Sequence, residues 1–191
     1  MRKSIIAVDI DSTLYPFIDL WRKVAKSDFN VTFPTVMHWG QCITSFESFD
    51  DAMESIKICH SNENIREAAP YKNAARALIE LMYEDFDIWY YTDRDEKTER
   101  ATRFWLAVNN FPVPSNLVIC KDKRDDLKRV RNELFTLIDD RPRTLIHGLH
   151  NLNLTNVYSI QHTYNENLKD IPGVNIFDDW LEMGEVIKCS K

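Results

Sequence analysis

Ile5-Ile6-Ala7-Val8-Asp9-Ile10-Asp11-Ser12-Thr13-Leu14 is the stretch on which the reading of the whole chain turns. Four apolar residues rich in β-branched Ile and Val predict a buried strand, and the two aspartates fall where that strand must open into a loop. In an open parallel sheet, ligands collect just outside the carboxyl ends of the strands, so carboxylates at i and i+2 there form a candidate site. The chain is already leaving the strand at Asp9, so both groups can turn toward one point. A divalent metal with a phosphate or a carbonyl would fit between them. Taken alone, the pair also fits an edge turn in which Asp, Ser and Thr bond back to the backbone. The later strands decide between the two.

Beyond Leu14 the pattern becomes helical, with Phe17, Ile18, Trp21, Val24 and Ala25 on one face until Asn30-Val31-Thr32-Phe33-Pro34 breaks it. Residues 15–69 hold short helical patches, such as 49–56, many aromatics and no strand alternation. They predict a mostly helical cap, inserted into a core made of residues 1–14 and 70–191. Pro70 and Tyr71 then open a helix whose apolar side is Ala74, Ala75, Ala77, Leu78, Leu81 and Met82. Strands are expected at 86–92, 117–120, 135–138 and 156–160, with helices at 96–109, 127–132 and 143–150. An amphipathic helix over 177–188 closes the chain. Strands alternating with helices imply right-handed crossovers and an α/β fold with a parallel sheet flanked by helices.

Composition narrows the function. Hydrophobic content of 44% and charged content of 28% suit an ordinary globular protein of 191 residues. A net charge of -6 argues against a broad nucleic-acid footprint, while leaving room for one basic pocket. Only four glycines are present, which excludes Gly-rich phosphate loops, so any phosphate must be held by side chains, a metal and a few amides. Cys42, Cys59, Cys120 and Cys189 form no C-x-x-C pair, and the apolar run that breaks at Asp9 is too short for a signal peptide or a membrane span. These features predict a cytoplasmic location with reduced thiols.

Four strands end in chemistry-bearing residues: Asp9 and Asp11, then Thr92, then Lys121 and Lys123, then Asp139 and Asp140. This ordered set resembles the haloacid dehalogenase superfamily of phosphohydrolases, over roughly residues 4–14 and 70–160. The resemblance implies a Rossmann-like core, Mg²⁺ as cofactor and a small phosphorylated substrate. It casts Asp9 as nucleophile and Asp11 as the general acid that protonates the leaving oxygen and then activates water, with a carboxyl raised by burial and neighbouring carboxylates. Mg²⁺ would be held by Asp9, by Asp11 through its backbone carbonyl, and by Asp139, with Asp140 beside or behind it. Thr92, Thr13, Asp93 and Arg94 would surround the phosphate. A lysine would balance the charge, and the Lys121-Asp122-Lys123 step favours Lys123.

Within that superfamily, the Tyr91-Thr92-Asp93-Arg94 run, the Ile138-Asp139-Asp140-Arg141-Pro142 run and the early cap resemble the 5'(3')-deoxyribonucleotidases. The substrate implied is a nucleoside monophosphate, its base stacked on cap aromatics; Phe17, Trp39, Phe46 and Phe49 are the candidates. The same Thr-x-Arg run and the Arg124-Asp125-Asp126 stretch also resemble the phosphatase half of phage polynucleotide kinase, which removes 3'-phosphates from nucleic-acid ends. A non-catalytic phosphate-binding protein is a third alternative.

Overall fold

The computed structural model describes residues 4–34 and 39–191, with the Trp39 side chain outside that description. Among the described residues, six parallel strands form one sheet: β1 (Ser4–Val8), β2 (Phe86–Thr92), β3 (Leu117–Ile119), β4 (Leu134–Ile138), β5 (Val157–Ile160) and β6 (Val174–Phe177). Their order is β3-β2-β1-β4-β5-β6. The chain winds outward from β1 to β3, crosses back past β1 to β4, and continues to β6. The winding therefore reverses between β1 and β4, and the crevice at their carboxyl ends is where such a sheet binds ligands.

The period-2 pleat of β1 explains why its residues are apolar on both sides. Ile6 and Val8 face one core, shared with α5 (Ala74–Tyr83), α6 (Glu99–Val108) and α9 (Trp180–Cys189). Ile5 and Ala7 face the other, with Leu127 of α7 (Lys123–Arg129) and Leu145 of α8 (Pro142–Asn151).

Between β1 and α5 stand α1 (Phe17–Phe29), α2 (Trp39–Thr44), α3 (Phe49–Cys59) and α4 (Asn62–Glu67). Helix α1 buries Phe17, Ile18, Trp21, Val24 and Ala25, the face its spacing predicts, and ends at Asn30 in the left-handed region. The Trp21 indole N–H donates to Ser55 Oγ at 2.7 Å and so ties α1 to α3. Ser48 and Ser61 cap α3 and α4. The excursion closes on itself: the Tyr71 N–H donates to the Leu14 carbonyl at 2.8 Å, and the Trp105 indole holds the Ala68 carbonyl at 2.6 Å.

The sequence reading is corrected at four elements. A sixth strand, β6, precedes the last helix, which starts at Trp180 under an Asp179 cap and not at residue 177. On that helix Val186 is exposed, while Gly184 takes a buried place. Helix α5 starts at Ala74 because Asn73, at φ 66°, turns the chain just before it. Helix α7 begins inside the charged run and spans Lys123–Arg129, because Asp122 accepts the Arg124 N–H and caps it there. None of the four cysteines is in a disulfide, and no helix among the described residues is long and apolar enough to cross a membrane.

Candidate active site

The ladder between β1 and β4 extends one step into the loops, where the Asp9 N–H donates to the Ile138 carbonyl at 2.9 Å. On the far side of β4, the Asp139 N–H donates to the Tyr158 carbonyl at 3.1 Å. Both carboxylates thus hang from backbone fixed by the sheet. Ser12, at φ 61°, turns the chain, and the Thr13 hydroxyl points back to Asp9 Oδ2 at 3.2 Å.

Lys123 is the buried cation of this cluster. Its ammonium donates to Asp9 Oδ1 and to Asp139 Oδ2, the latter at 2.8 Å. Its placement follows from the early start of α7: as the first residue of that helix it points inward, with its N–H on Asp93 at 3.3 Å. Lys121 is exposed. Burial alone would discharge Lys123, but Asp139 and Asp9 outweigh burial and keep it an ammonium. Burial, and then the neighbouring Asp139 and Asp140, hold the Asp9 carboxyl well above the usual range against the pull of Lys123. Asp140 is raised too, first by burial and then by Asp139.

Asp11 has the opposite environment. Arg94 grips it with Nε at 3.0 Å from Oδ2 and Nη2 at 2.7 Å from Oδ1. The Tyr15 hydroxyl donates to Oδ1 at 2.5 Å, and Thr92 Oγ1 stands 3.5 Å from Oδ2. His60, at the end of α3, brings Nε2 to 3.4 Å from Oδ1. Burial would raise this carboxyl, but Arg94 and His60 outweigh it and hold Asp11 well below the usual range. The expected raised Asp11 is therefore corrected: it is an ionised carboxylate locked by a bidentate guanidinium.

Other expectations are corrected with it. Arg94 is directed to Asp11 and not to a phosphate: it is 3% exposed and also donates to Thr102 and Tyr15. Asp93 pairs with Arg141 at 2.7 Å instead of lining a phosphate cradle. Phe46 lies in the interior of the helical excursion against Trp21, Phe29 and Phe33, and Phe17 packs on Trp21, Tyr15 and His60. Neither offers a ring to a ligand, since they are 1% and 7% exposed for Phe17 and Phe46. The Trp39 side chain lies outside the described residues. Phe49 is exposed at the start of α3.

Several contacts lay beyond the sequence reading. Nothing in the chain marks His60, which arrives from the helical excursion. His162 and Tyr164 had a signal, because they follow β5 at the same sheet edge. His162 Nε2 meets the Ser12 carbonyl at 2.7 Å, and the Tyr164 hydroxyl donates to Asp140 Oδ2 at 2.5 Å.

Oxygens of Asp9, Asp139 and Asp140 come within 4.8 Å of one another, and Asp140 Oδ1 is buried without a hydrogen-bond partner. A buried carboxylate oxygen left without a donor is costly unless a cation completes it. Three hard oxygen donors suit Mg²⁺. The Asp11 carboxylate is turned away to Arg94 and is not part of this group.

No family model matches the sequence, and no curated protein matches it. Solved structures match in fold. A haloacid dehalogenase-like family hydrolase from Streptococcus pneumoniae is 16% identical, with a TM-score of 0.68 over 97% of this chain and 98% of its own. A haloacid dehalogenase-like protein of unknown function from Agrobacterium tumefaciens is 12% identical, with a TM-score of 0.69 over 98% and 99%. A HAD family hydrolase from Deinococcus radiodurans, whose structure holds phosphate and sodium, is 9% identical, with a TM-score of 0.62 over 95% and 93%. At these identities the likeness is one of fold: this chain has the α/β fold of the haloacid dehalogenase-like hydrolases.

Proposed function

We propose that the protein is a Mg²⁺-dependent phosphomonoester hydrolase that works through an aspartyl-phosphate on Asp9, with a nucleoside monophosphate as substrate. The observation that carries the reading is the buried Asp9, Lys123, Asp139 and Asp140 cluster at the point where the sheet's winding reverses. Asp9, Asp139 and Asp140 would hold Mg²⁺, which supplies the positive charge that lets a carboxylate approach a phosphate dianion.

The chain's own residues take the following parts. Lys123 and Thr13 each hold one oxygen of Asp9 and so fix the plane of the attacking carboxylate. An Asp9 oxygen bonds to phosphorus as the ester oxygen leaves with a proton. Water then attacks the same phosphorus, gives its proton to Asp11, and frees Asp9 and inorganic phosphate. The ionised Asp11 is ready for this second step. For the first step Asp11 must carry a proton, which costs the charge-assisted bonds to Arg94. Thr92, buried beside Asp11, offers a hydroxyl to a phosphoryl oxygen.

The nucleotide part of the reading rests on the likeness of residues 91–94 and 138–142 to the deoxyribonucleotidase branch. Phosphate release with and without Mg²⁺, measured over nucleotides, sugar phosphates and 3'-phosphorylated oligonucleotides, tests both parts. Fastest release from oligonucleotide ends would replace the small substrate by a nucleic-acid end. No Mg²⁺-dependent release from any of them would remove the hydrolase reading.

A further inference from the structure

Phe17 and Phe46 are buried in the helical excursion, and the core offers a different aromatic surface. A cleft of about 340 Å³ lies between α1 and the segment after β5, within the size range of small-ligand pockets. Its core-side wall is aromatic: the His162 and Tyr164 rings stack at 4.9 Å and 5° between planes, and Tyr71 stands 6.3 Å from His162. Two of these residues hold the site itself, His162 through the Ser12 carbonyl and Tyr164 through Asp140. A leaving group in the cleft would thus lie one side chain away from the acidic cluster.

We infer that the Tyr71, His162 and Tyr164 wall is the platform that selects the leaving group, and that it selects an uncharged, ring-bearing one such as a nucleoside. This deepens the phosphohydrolase reading and rests on it. The rim supplies the second half of the argument. Asp19, Glu166 and Asp178 line the cleft with one arginine, Arg22, which pairs with Asp19 at 2.8 Å, while Lys169, outside the lining, comes to 3.8 Å from Glu166; three carboxylates thus face two cations. A rim with surplus carboxylates accepts N–H and O–H donors from a base or a sugar. It repels a leaving group that carries a carboxylate or a second phosphate, so selectivity is built by exclusion as well as by stacking.

The test compares kcat/KM with Mg²⁺ for a nucleoside monophosphate, glycerol phosphate and phosphoglycolate. The wild type should favour the nucleoside monophosphate over both. Tyr71→Leu should cut its advantage over glycerol phosphate about tenfold, within the range one stacked base contributes. Phe49→Ala, at the exposed aromatic of the helical excursion, should leave that ratio alone. A ratio that collapses in Phe49→Ala and holds in Tyr71→Leu would overturn the platform. A second measurement needs no turnover: the imidazole proton resonances of His162 in the wild type, assigned by comparison with His162→Gln, are followed as a phosphate-free nucleoside is added. They should shift; resonances that stay fixed up to solubility would also overturn the platform. Nucleoside binding at His162 without hydrolysis of any phosphomonoester would sink the hydrolase reading and keep the platform. Rapid hydrolysis with no preference for ring-bearing esters would do the reverse.

Discussion

Arg94 and Asp11 form a buried bidentate pair, with Nε at 3.0 Å from Oδ2, Nη2 at 2.7 Å from Oδ1, and the guanidinium almost out of solvent contact. Such a pair is costly to break from one side, because the partner left behind is a buried charge. Arg94→Ala is expected to lose about 3–5 kcal/mol of stability, measured by denaturant unfolding. Arg94→Lys keeps the charge but loses the fork, and should recover only part of the stability and of kcat. The double variant Asp11→Asn/Arg94→Met should lie closer to wild type in stability than Arg94→Ala does.

Asp9 should be dispensable for folding and indispensable for turnover. Asp9→Asn removes one of two carboxylates on Lys123 and leaves Asp139 at 2.8 Å to hold it. Phosphate release is expected to fall on the order of 10⁴-fold or more, with the circular dichroism spectrum unchanged. Acid-quenched wild type should carry phosphate on Asp9 by mass spectrometry. A phosphoenzyme still formed by Asp9→Asn would remove the nucleophile assignment, and so would beryllium fluoride binding that survives the substitution.

Mg²⁺ should stabilise the protein more as pH rises. Burial, reinforced by the neighbouring carboxylates, raises Asp9 and Asp140, so the folded state holds those protons more tightly than the unfolded chain. Their contribution to stability is present at low pH and is lost as pH rises through the folded values. Asp11 runs the other way: against burial, Arg94 lowers it, so its contribution is present above the unfolded value and lost as pH falls through the folded one. A metal needs the deprotonated carboxylates. The gain in Tm on adding Mg²⁺ should therefore be larger at about pH 8 than at about pH 5, and the unfolding free energy gained should reach about 2.7 kcal/mol at a hundred times Kd. In Asp139→Asn the gain should disappear at every pH.

Thiol chemistry should separate one cysteine from three. Burial pushes Cys42 up to about 11 and Cys59 and Cys120 to about 12, whereas Cys189 is exposed at the end of α9. A thiol held that high has almost no thiolate at neutral pH. One fast equivalent is expected with a disulfide reagent in the native protein and four in denaturant. Cys189→Ser should abolish the fast one.

The parallel sheet was legible because each central strand is a short apolar run ending in polar residues, as at Val8-Asp9 and Ile138-Asp139. Strand β6 was not, since Val174-Asn175-Ile176-Phe177 is four residues long and sits at an edge, where burial writes little into the sequence. The meeting of Asp9, Lys123 and Asp139 was expected only through the resemblance, since the strand order that brings them together was not read from the sequence. The Arg94 lock could not be read in advance: a Thr-x-Arg run fixes where the side chain starts but not which partner it finds in three dimensions. The aromatics misled for a related reason, because Phe17 and Phe46 have the composition of a platform and the burial of a core.

The hydrogen bond from the Tyr71 N–H to the Leu14 carbonyl makes the path through α1, α2, α3 and α4 a detour closed at its mouth. Such a detour imposes no register on the strands whatever its size, and doubling its length costs only about 0.6 kcal/mol in closure entropy. The sheet is then a chassis and the detour an exchangeable attachment. Yet the attachment carries His60 to within 3.4 Å of Asp11, so a graft of another one would also change the surroundings of that carboxylate in a single event.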